Sequence, residues 1–476
     1  MWKWKDLSKD VIGPIELVII LVILYTLASM IFPALAVTLS SDAGIVNVVF
    51  FYLYKFILLI FPVAGTIFLL YYAHMFWLHY IRANFISGIT WVLLEVTPPR
   101  DVLRSPRAME LFLNNALYHM SEKSGLEMYW QGAVRFWFSL EIASIGGQVR
   151  FYIRAPSRTK ELLETQMYAA YPQSQVRVVE DYTLAVDKIT EDSKWNLWGC
   201  EFTYTNPDAY PIKTYVDYGL DKDPKEEQKV DPIAPVVELF SVIGKDEQMW
   251  CQIVVAPSKK QYKTPGTLFK THGWVEEVEE EIKRLLIQFT RQHPKQPNGI
   301  TPIEIRPPDF LSEITKKASA KMLKLGFDTG IRVCYVAKKE AFNMNNRRNI
   351  RMIFRQYAAP NSNELVRVNS TQADAFGKNQ FTAFFPLSTK KVYKLADRML
   401  LEYREREFFN PPMRHKIHLP WPLSPLIFPN FFHHHIMVMN TEEIATLWHF
   451  PGQILKVPSL ERIESKEASP PTNLPI

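Results

Sequence analysis

Cysteine and glycine are scarce in this chain: its 476 residues hold 3 Cys and 18 Gly. The three thiols, Cys200, Cys251 and Cys334, are odd in number and widely spaced. That excludes a disulfide framework and a Cys-x-x-Cys metal clip. No GxxxxGK(S/T) occurs, so a phosphate-cradling loop of that type is absent. GxSxG and HExxH are missing too. The 33 Pro form no repeat or long biased tract, which excludes collagen-like and wholly disordered chains. With no motif that carries chemistry, the expectation is a protein that is not an enzyme. No catalytic, cofactor-binding or metal-ligating residue is expected, and no cofactor.

Long apolar runs are present, at the N-terminal end. Leu17 to Leu39 is 23 residues without a charge. A helix rises ~1.5 Å per residue, so ~20 apolar residues cross a ~30 Å hydrocarbon core. Ile45 to Ile81 follows a short polar break and carries one full charge, Lys55. The sequence therefore predicts a membrane anchor over 1–82, with transmembrane helices at about 17–39 and 56–81. Tyr71, Tyr72, Trp77 and Tyr80 suit an interfacial belt at the far end. Lys3, Lys5 and Lys9 precede the first run, and Arg82, Arg100, Arg104 and Arg107 follow the second. The positive-inside rule then places both ends in the cytoplasm. Formal net charge is +6, a mild excess that suits an anionic membrane face or nucleic acid.

The remainder reads as α+β. Ile89–Val96 is strand-like, Arg107–Lys123 helical, and Val134–Ser144 with Val149–Arg154 a hairpin turning at Gly146-Gly147. Ser157 is expected to cap a helix Arg158–Ala170, and Ser174–Val179 is the next strand. The hairpin device returns, with strands at Val236–Val242 and Met249–Val255 and a long helix Trp274–Gln292. A weaker copy pairs a helix Phe310–Leu325 with a strand Ile331–Ala337 and a helix Ala341–Tyr357. The expected fold class is thus α+β, an N-terminal transmembrane hairpin followed by two or three ferredoxin-like modules. The expected boundaries are 83–205, 206–300 (after a linker) and 301–407 for the modules. A Pro-rich strap with a short helix takes 408–463, and a disordered tail 464–476.

Three groups of residues are candidates for binding. Arg347, Arg351 and Arg355 recur at four-residue spacing, with Arg348 beside them. On one helix they form a guanidinium stripe able to grip phosphates or an acidic partner. Asn440 or Thr441 caps a short helix with Glu442 and Glu443 at its start, and Trp448 and Phe450 bury behind it. Glu442, Glu443 and Trp448 are the expected docking residues. His433-His434-His435 has imidazole ligands but points them in different directions, with no carboxylate or Cys near it in sequence to complete a metal set.

Two stretches resemble a known family. They are Lys321-Met-Leu-Lys-Leu-Gly-Phe-Asp-Thr-Gly-Ile-Arg-Val to Ala337, and Met439-Asn-Thr-Glu-Glu-Ile-Ala-Thr-Leu-Trp-His-Phe-Pro451 on to Pro475. Both look like the N-terminal, non-ATPase region of bacterial conjugation-type ATPases, type IV secretion proteins related to the HerA and FtsK motors. In that family a segment like the second leads into the motor domain, and here the chain stops at Ile476. The resemblance implies a membrane-tethered scaffold for DNA or protein translocation that meets a separately encoded motor ATPase. It implies a place at a bacterial inner membrane, and its expected partners are that ATPase and membrane lipids, with DNA and further copies of itself as the other candidates. The alternative is a membrane-tethered nucleic-acid-binding protein that uses the basic helix.

Overall fold

A computed structural model describes residues 55, 66, 70–71, 73–98, 104–118, 124–221, 230–263, 271–292, 308–371, 389–406, 408–409 and 434–452. The expected span at 17–39 lies outside the described residues, as does most of that at 56–81. Among the described residues no helix is long and apolar enough to cross a membrane. The chain divides into two compact units: Met1–Ile89, Glu122–Val134 and Asn410–Phe431 make one, and the rest makes the other.

The larger unit is α+β and holds a nine-stranded sheet. Its strands are β1 (Trp91–Thr97), β2 (Phe138–Ile145), β3 (Gln148–Pro156), β4 (Gln175–Val179), β5 (Trp195–Tyr204), β6 (Glu247–Pro257), β9 (Gly326–Lys338), β10 (Leu365–Val368) and β11 (Met437–Asn440). A separate two-stranded ribbon pairs β7 (Tyr262–Lys263) with β8 (Thr271–His272). The order is β10-β5-β9-β6-β2-β3-β1-β4, every pair antiparallel. Strands from all three expected modules are laid into this one sheet. β6 pairs with β9 along nearly its whole length. The other edge of β9 is shared: β5 takes Ile331–Lys338 and β11 takes Gly326–Thr329. The break between them is Gly330, where a Cβ would stand 2.4 Å from the Phe408 ring.

Eight helices are used below: α1 (Arg107–Leu117), α2 (Lys160–Ala170), α3 (Ala234–Ser241), α4 (Trp274–Gln292), α5 (Asp309–Met322), α6 (Met344–Ile350), α7 (Thr389–Glu405) and α8 (Thr441–Leu447). Side chains alternate across a strand, so each strand feeds two cores. Leu140, Ile142, Phe151, Ile253, Ile331 and Val333 face α1, α2, α3 and α8 in one. Tyr152, Trp250, Cys334 and Val336 face α7, through Met399, Leu400 and Tyr403, in the other.

Local signals are realised where they are strong. Gly146 and Gly147 have φ of +60° and +87°, the double positive φ that a tight two-residue hairpin needs. Asn440 and Glu443 form a reciprocal capping box at the start of α8. Three expectations are corrected. Val236–Ser241 is helical, within α3, and Val242 is its C-cap: Pro235 presets the first turn, and Val236, Val237 and Phe240 bury at helical spacing. Ser157 lies in a 3-10 turn, so Thr159 takes the cap position without a side-chain bond and the Ser157 hydroxyl pairs with Thr90. The helix expected over Ala341–Tyr357 ends at Ile350. Its continuation is turns and a 3-10 step, Arg355–Tyr357, whose carbonyls are taken by Lys213 N–H and the Tyr218 hydroxyl.

In the smaller unit, residues 73–87 are helical and a short helix Gly125–Tyr129 opens with a capping box from Ser124 and Glu127.

Candidate functional site

The α7 side of the sheet carries a row of polar side chains in register. Arg177, Glu95, Tyr152, Glu141, Gln252, Arg332 and Glu201 are successive cross-strand partners on β4, β1, β3, β2, β6, β9 and β5. At each end of the row two neighbours carry opposite charge. Arg177 Nη2 donates to Glu95 at 2.9 Å, and Arg332 Nε to Glu201 at 2.8 Å. Glu141, Gln252, Arg332 and Glu201 are fully buried. A charge in such a place requires a partner, because an unpaired one pays several kcal/mol of desolvation.

Helix α7 and Arg406, the residue after it, supply some of the partners, and the row helps to cap the helix. The last carbonyls of a helix have no partner within it. Here Glu402 O accepts from Arg332 Nη1 at 3.0 Å, and Tyr403 O from Gln252 Nε2 at 3.0 Å. Arg404 O accepts from Arg406 Nη1, and Glu405 O from Arg154 Nη1, both at 3.1 Å. The cationic groups also meet the negative end of the helix dipole. Arg406 adopts φ of 50°, a left-handed conformation that usually falls to glycine. Its guanidinium explains the exception: it forks onto Glu141 at 2.7 and 3.2 Å and also holds Asp181. The Tyr182 hydroxyl donates to Glu141 at 2.8 Å and meets Tyr403 at 2.9 Å. Burial first, then the Glu141 charge, push both tyrosines well above their ordinary range, so they stay neutral donors.

At the β5 end the row reaches a cavity of about 560 Å³. Its wall includes Arg135, Lys260, Asp208, Asp328, Tyr262 and His434. The cations are answered by their own carboxylates: Arg135 meets Asp328 at 2.6 Å, and Lys260 meets Asp208 at 2.5 Å. Glu201, Glu402 and His434 present ligand atoms within 4.8 Å of one another, a spacing a metal ion could use. So the carboxylates that sequence distance hid from the histidine run are supplied by β5 and α7. Yet Arg332 stands among them, 2.8 Å from Glu201 and 3.8 Å from Glu402, and Arg398 meets Glu402 at 2.6 Å. Two guanidinium groups balance two carboxylates, so the set suits arginine better than a metal. Burial would raise the Glu201 carboxyl, but His434, Arg332 and the Asn369 amide outweigh it and hold it at about 2. A second trio, His272 on β8 with Glu277 and Glu280 in the first turns of α4, lies half-buried.

The residues expected from sequence fall in different places. Arg347 and Arg348 lie on α6, Arg351 is its C-cap, and Arg355 is in the 3-10 turn. Arg348 and Arg355 are exposed, while Arg347 and Arg351 are half-buried. The helix that would have aligned them ends too early, so no continuous stripe forms. Glu443 and Trp448 are fully buried and Glu442 is half-buried. Glu443 accepts from Tyr204 at 2.7 Å and Ile212 N–H at 3.0 Å, beside Lys321 at 3.0 Å. Trp448 Nε1 donates to Glu141 O at 3.2 Å. Glu442 pairs with Lys324 at 2.7 Å. The polar row escaped sequence reading, although Glu141 and Arg332 sit inside otherwise apolar strands, which was the available signal.

Residues 87–461 match the family model described as a domain of unknown function, DUF8128. The chain belongs to the DUF8128 family. No curated protein matches it. The DUF8128 match spans the whole sheet, the polar row, α7 and α8.

Proposed function

We propose that this DUF8128 chain is a membrane-anchored, non-catalytic scaffold of a type IV secretion-like translocation machine. It holds its α+β body at the cytoplasmic face of a bacterial inner membrane and docks a separate motor ATPase. In this reading the hairpin-and-helix pieces are related ferredoxin-like modules fused through one sheet, and the runs at 17–39 and 56–81 are the anchor.

One observation carries the reading. The two stretches that resemble the pre-motor region of conjugation ATPases, Lys321–Ala337 and the one that begins at Met439, are well apart in the sequence and pack against each other. Met439 pairs with Phe327 and Asn440 with Gly326 across β11 and β9. Thr441 N–H donates to Leu325 O at 3.1 Å, and the buried Lys321 and Glu443 lie 3.0 Å apart. A resemblance found in two separate places is thus one structural element, a helix seated on the end of the central strand. Such a seat gives the segment that follows it a fixed point of departure, as a motor-docking platform needs.

The test is purification of the tagged full chain from detergent-solubilised native membranes, with identification of co-purifying subunits and an ATP-turnover assay. A stoichiometric phosphate-loop ATPase that turns over ATP supports the proposal. Recovery of no ATPase and no other secretion component, or ATP hydrolysis by the isolated chain, refutes it.

A further inference from the structure

We propose a second membrane contact, outside both apolar runs: the segment around the short helix Gly125–Tyr129 lies in the lipid headgroup region beside the helix at 73–87. The proposal rests on the anchor reading above and adds to it a surface that hydropathy does not find.

The surface is built of the residue types that favour a bilayer interface. Leu126 is 69% exposed and Trp130 71%, with Tyr129, Trp77 and Tyr80 also open to solvent. Large apolar side chains grouped in this way mark an interaction site rather than ordinary surface. Trp and Tyr combine an apolar ring with one polar atom, which suits the boundary between acyl chains and water. The residues of the group are joined by direct contacts. Trp77 Nε1 donates to Tyr129 O at 3.2 Å, the rings of Trp77 and Trp130 are 6.1 Å apart, and His74 stacks on Tyr129 at 6.1 Å. Gly132 closes the segment onto the helix backbone with φ of +70°, where a Cβ would come within 2.3 Å of Ile81 O. No other residue fits that approach.

The occupant is lipid because of what the patch continues. Trp77 and Tyr80 lie on the last turns of the apolar run Ile45–Ile81, which holds a single full charge, Lys55. The level at which that run leaves the hydrocarbon is the level of Trp77, and Tyr129 and Trp130 are fixed beside it. A protein partner would have to reach the same ring edges through the headgroups.

Nitroxide labelling of the full chain tests this. The native thiols Cys200, Cys251 and Cys334 are buried, so an introduced cysteine is labelled selectively. Leu126→Cys and Trp130→Cys, with Val242→Cys as a control at 71% exposure, are reconstituted into phosphatidylethanolamine/phosphatidylglycerol vesicles. Two independent sites guard against one that fails to fold. The expected result is relaxation by oxygen severalfold stronger, relative to aqueous nickel chelate, at 126 and 130 than at 242. Labels at 126 and 130 as open to nickel as 242, on a chain that floats with the vesicles, overturn the proposal and leave the anchor standing. Labels shielded from both reagents show protein cover and overturn it too. A chain that does not float with vesicles refutes the anchor, and this contact with it.

Discussion

Replacing Arg332 by Met tests whether the polar row holds the sheet and α7 together. Methionine keeps much of the stem's volume and removes the charge. The lost contacts are the 2.8 Å bond to Glu201, the 3.0 Å cap on Glu402 O and the guanidinium 4.5 Å from the Phe408 ring centroid. A charged hydrogen bond contributes ~1.5–3 kcal/mol and a neutral-acceptor cap about 1. Removing one partner of a buried pair costs ~3–5 kcal/mol in all, since Glu201 is left short of a counter-charge. His434 and Asn369 still donate to Glu201, so about 3 kcal/mol is expected. Arg332→Met/Glu201→Leu removes both charges and should be less destabilised than Arg332→Met alone. The assay is guanidinium unfolding of the detergent-solubilised protein, followed by tryptophan fluorescence and circular dichroism. A loss below about 1 kcal/mol for the single variant, or a double variant worse than the single, refutes the reasoning.

Acid should unfold the body through carboxylates that are paired in the folded state. Burial pushes Glu201, Asp181 and Asp231 up, but His434, Arg406 and His449 respectively hold all three below their ordinary values. Folded values below unfolded ones give stability that is present above about pH 4.5 and is lost as pH falls towards the folded values. A pH series of melting temperatures should therefore decline below that point, and less steeply in Glu201→Gln; equal slopes would contradict the assignment. Gly330→Ala should cost ~1–3 kcal/mol, because its Cβ would overlap the Phe408 ring, whereas Gly125→Ala, with nothing within 4 Å, should shift the melting midpoint little. Arg406→Gly removes the backbone strain but also the fork to Glu141 and Asp181, so a net destabilisation of about 2 kcal/mol or more is expected in the same unfolding assay. Burial pushes the Cys251 and Cys334 thiols well up, so a thiol reagent at pH 8 should react with them only on unfolding.

Elements with local signals were legible in the sequence. The Gly146-Gly147 turn, the capped start of α8 and both ends of α4 needed only neighbouring residues to be read. β5 was not, although it lies beside the central strand. Its run Trp195–Tyr204 holds Asn196, Gly199 and Glu201 among the apolar residues, which blurs both strand patterns. α7 is dense in Lys and Arg, and its buried face, Leu395, Met399, Leu400 and Tyr403, is a narrow stripe. The helix expected to carry the arginine stripe failed for the opposite reason. Its four-residue spacing was real, but distant groups claim the backbone carbonyls at its end.

The polar row was hidden because its partners are distant in sequence: Arg406 and Glu141 are 265 residues apart and Arg332 and Glu201 are 131. Only the register joins them, and they in turn fix the register. A slip of one residue turns every side chain of a strand to the opposite face. For β9 it would carry Arg332 from its carboxylates into the layer of Ile331, Val333 and Phe327, and bring Val333 to face Glu201. An unpaired buried charge costs several kcal/mol, whereas most of the apolar residues of β9 could exchange faces at far less cost. Apolar burial alone would leave a strand that is hydrophobic on both faces poorly aligned. The buried pairs make one alignment much more stable than its neighbours, so that β11 and α8 find the end of β9 in a single position.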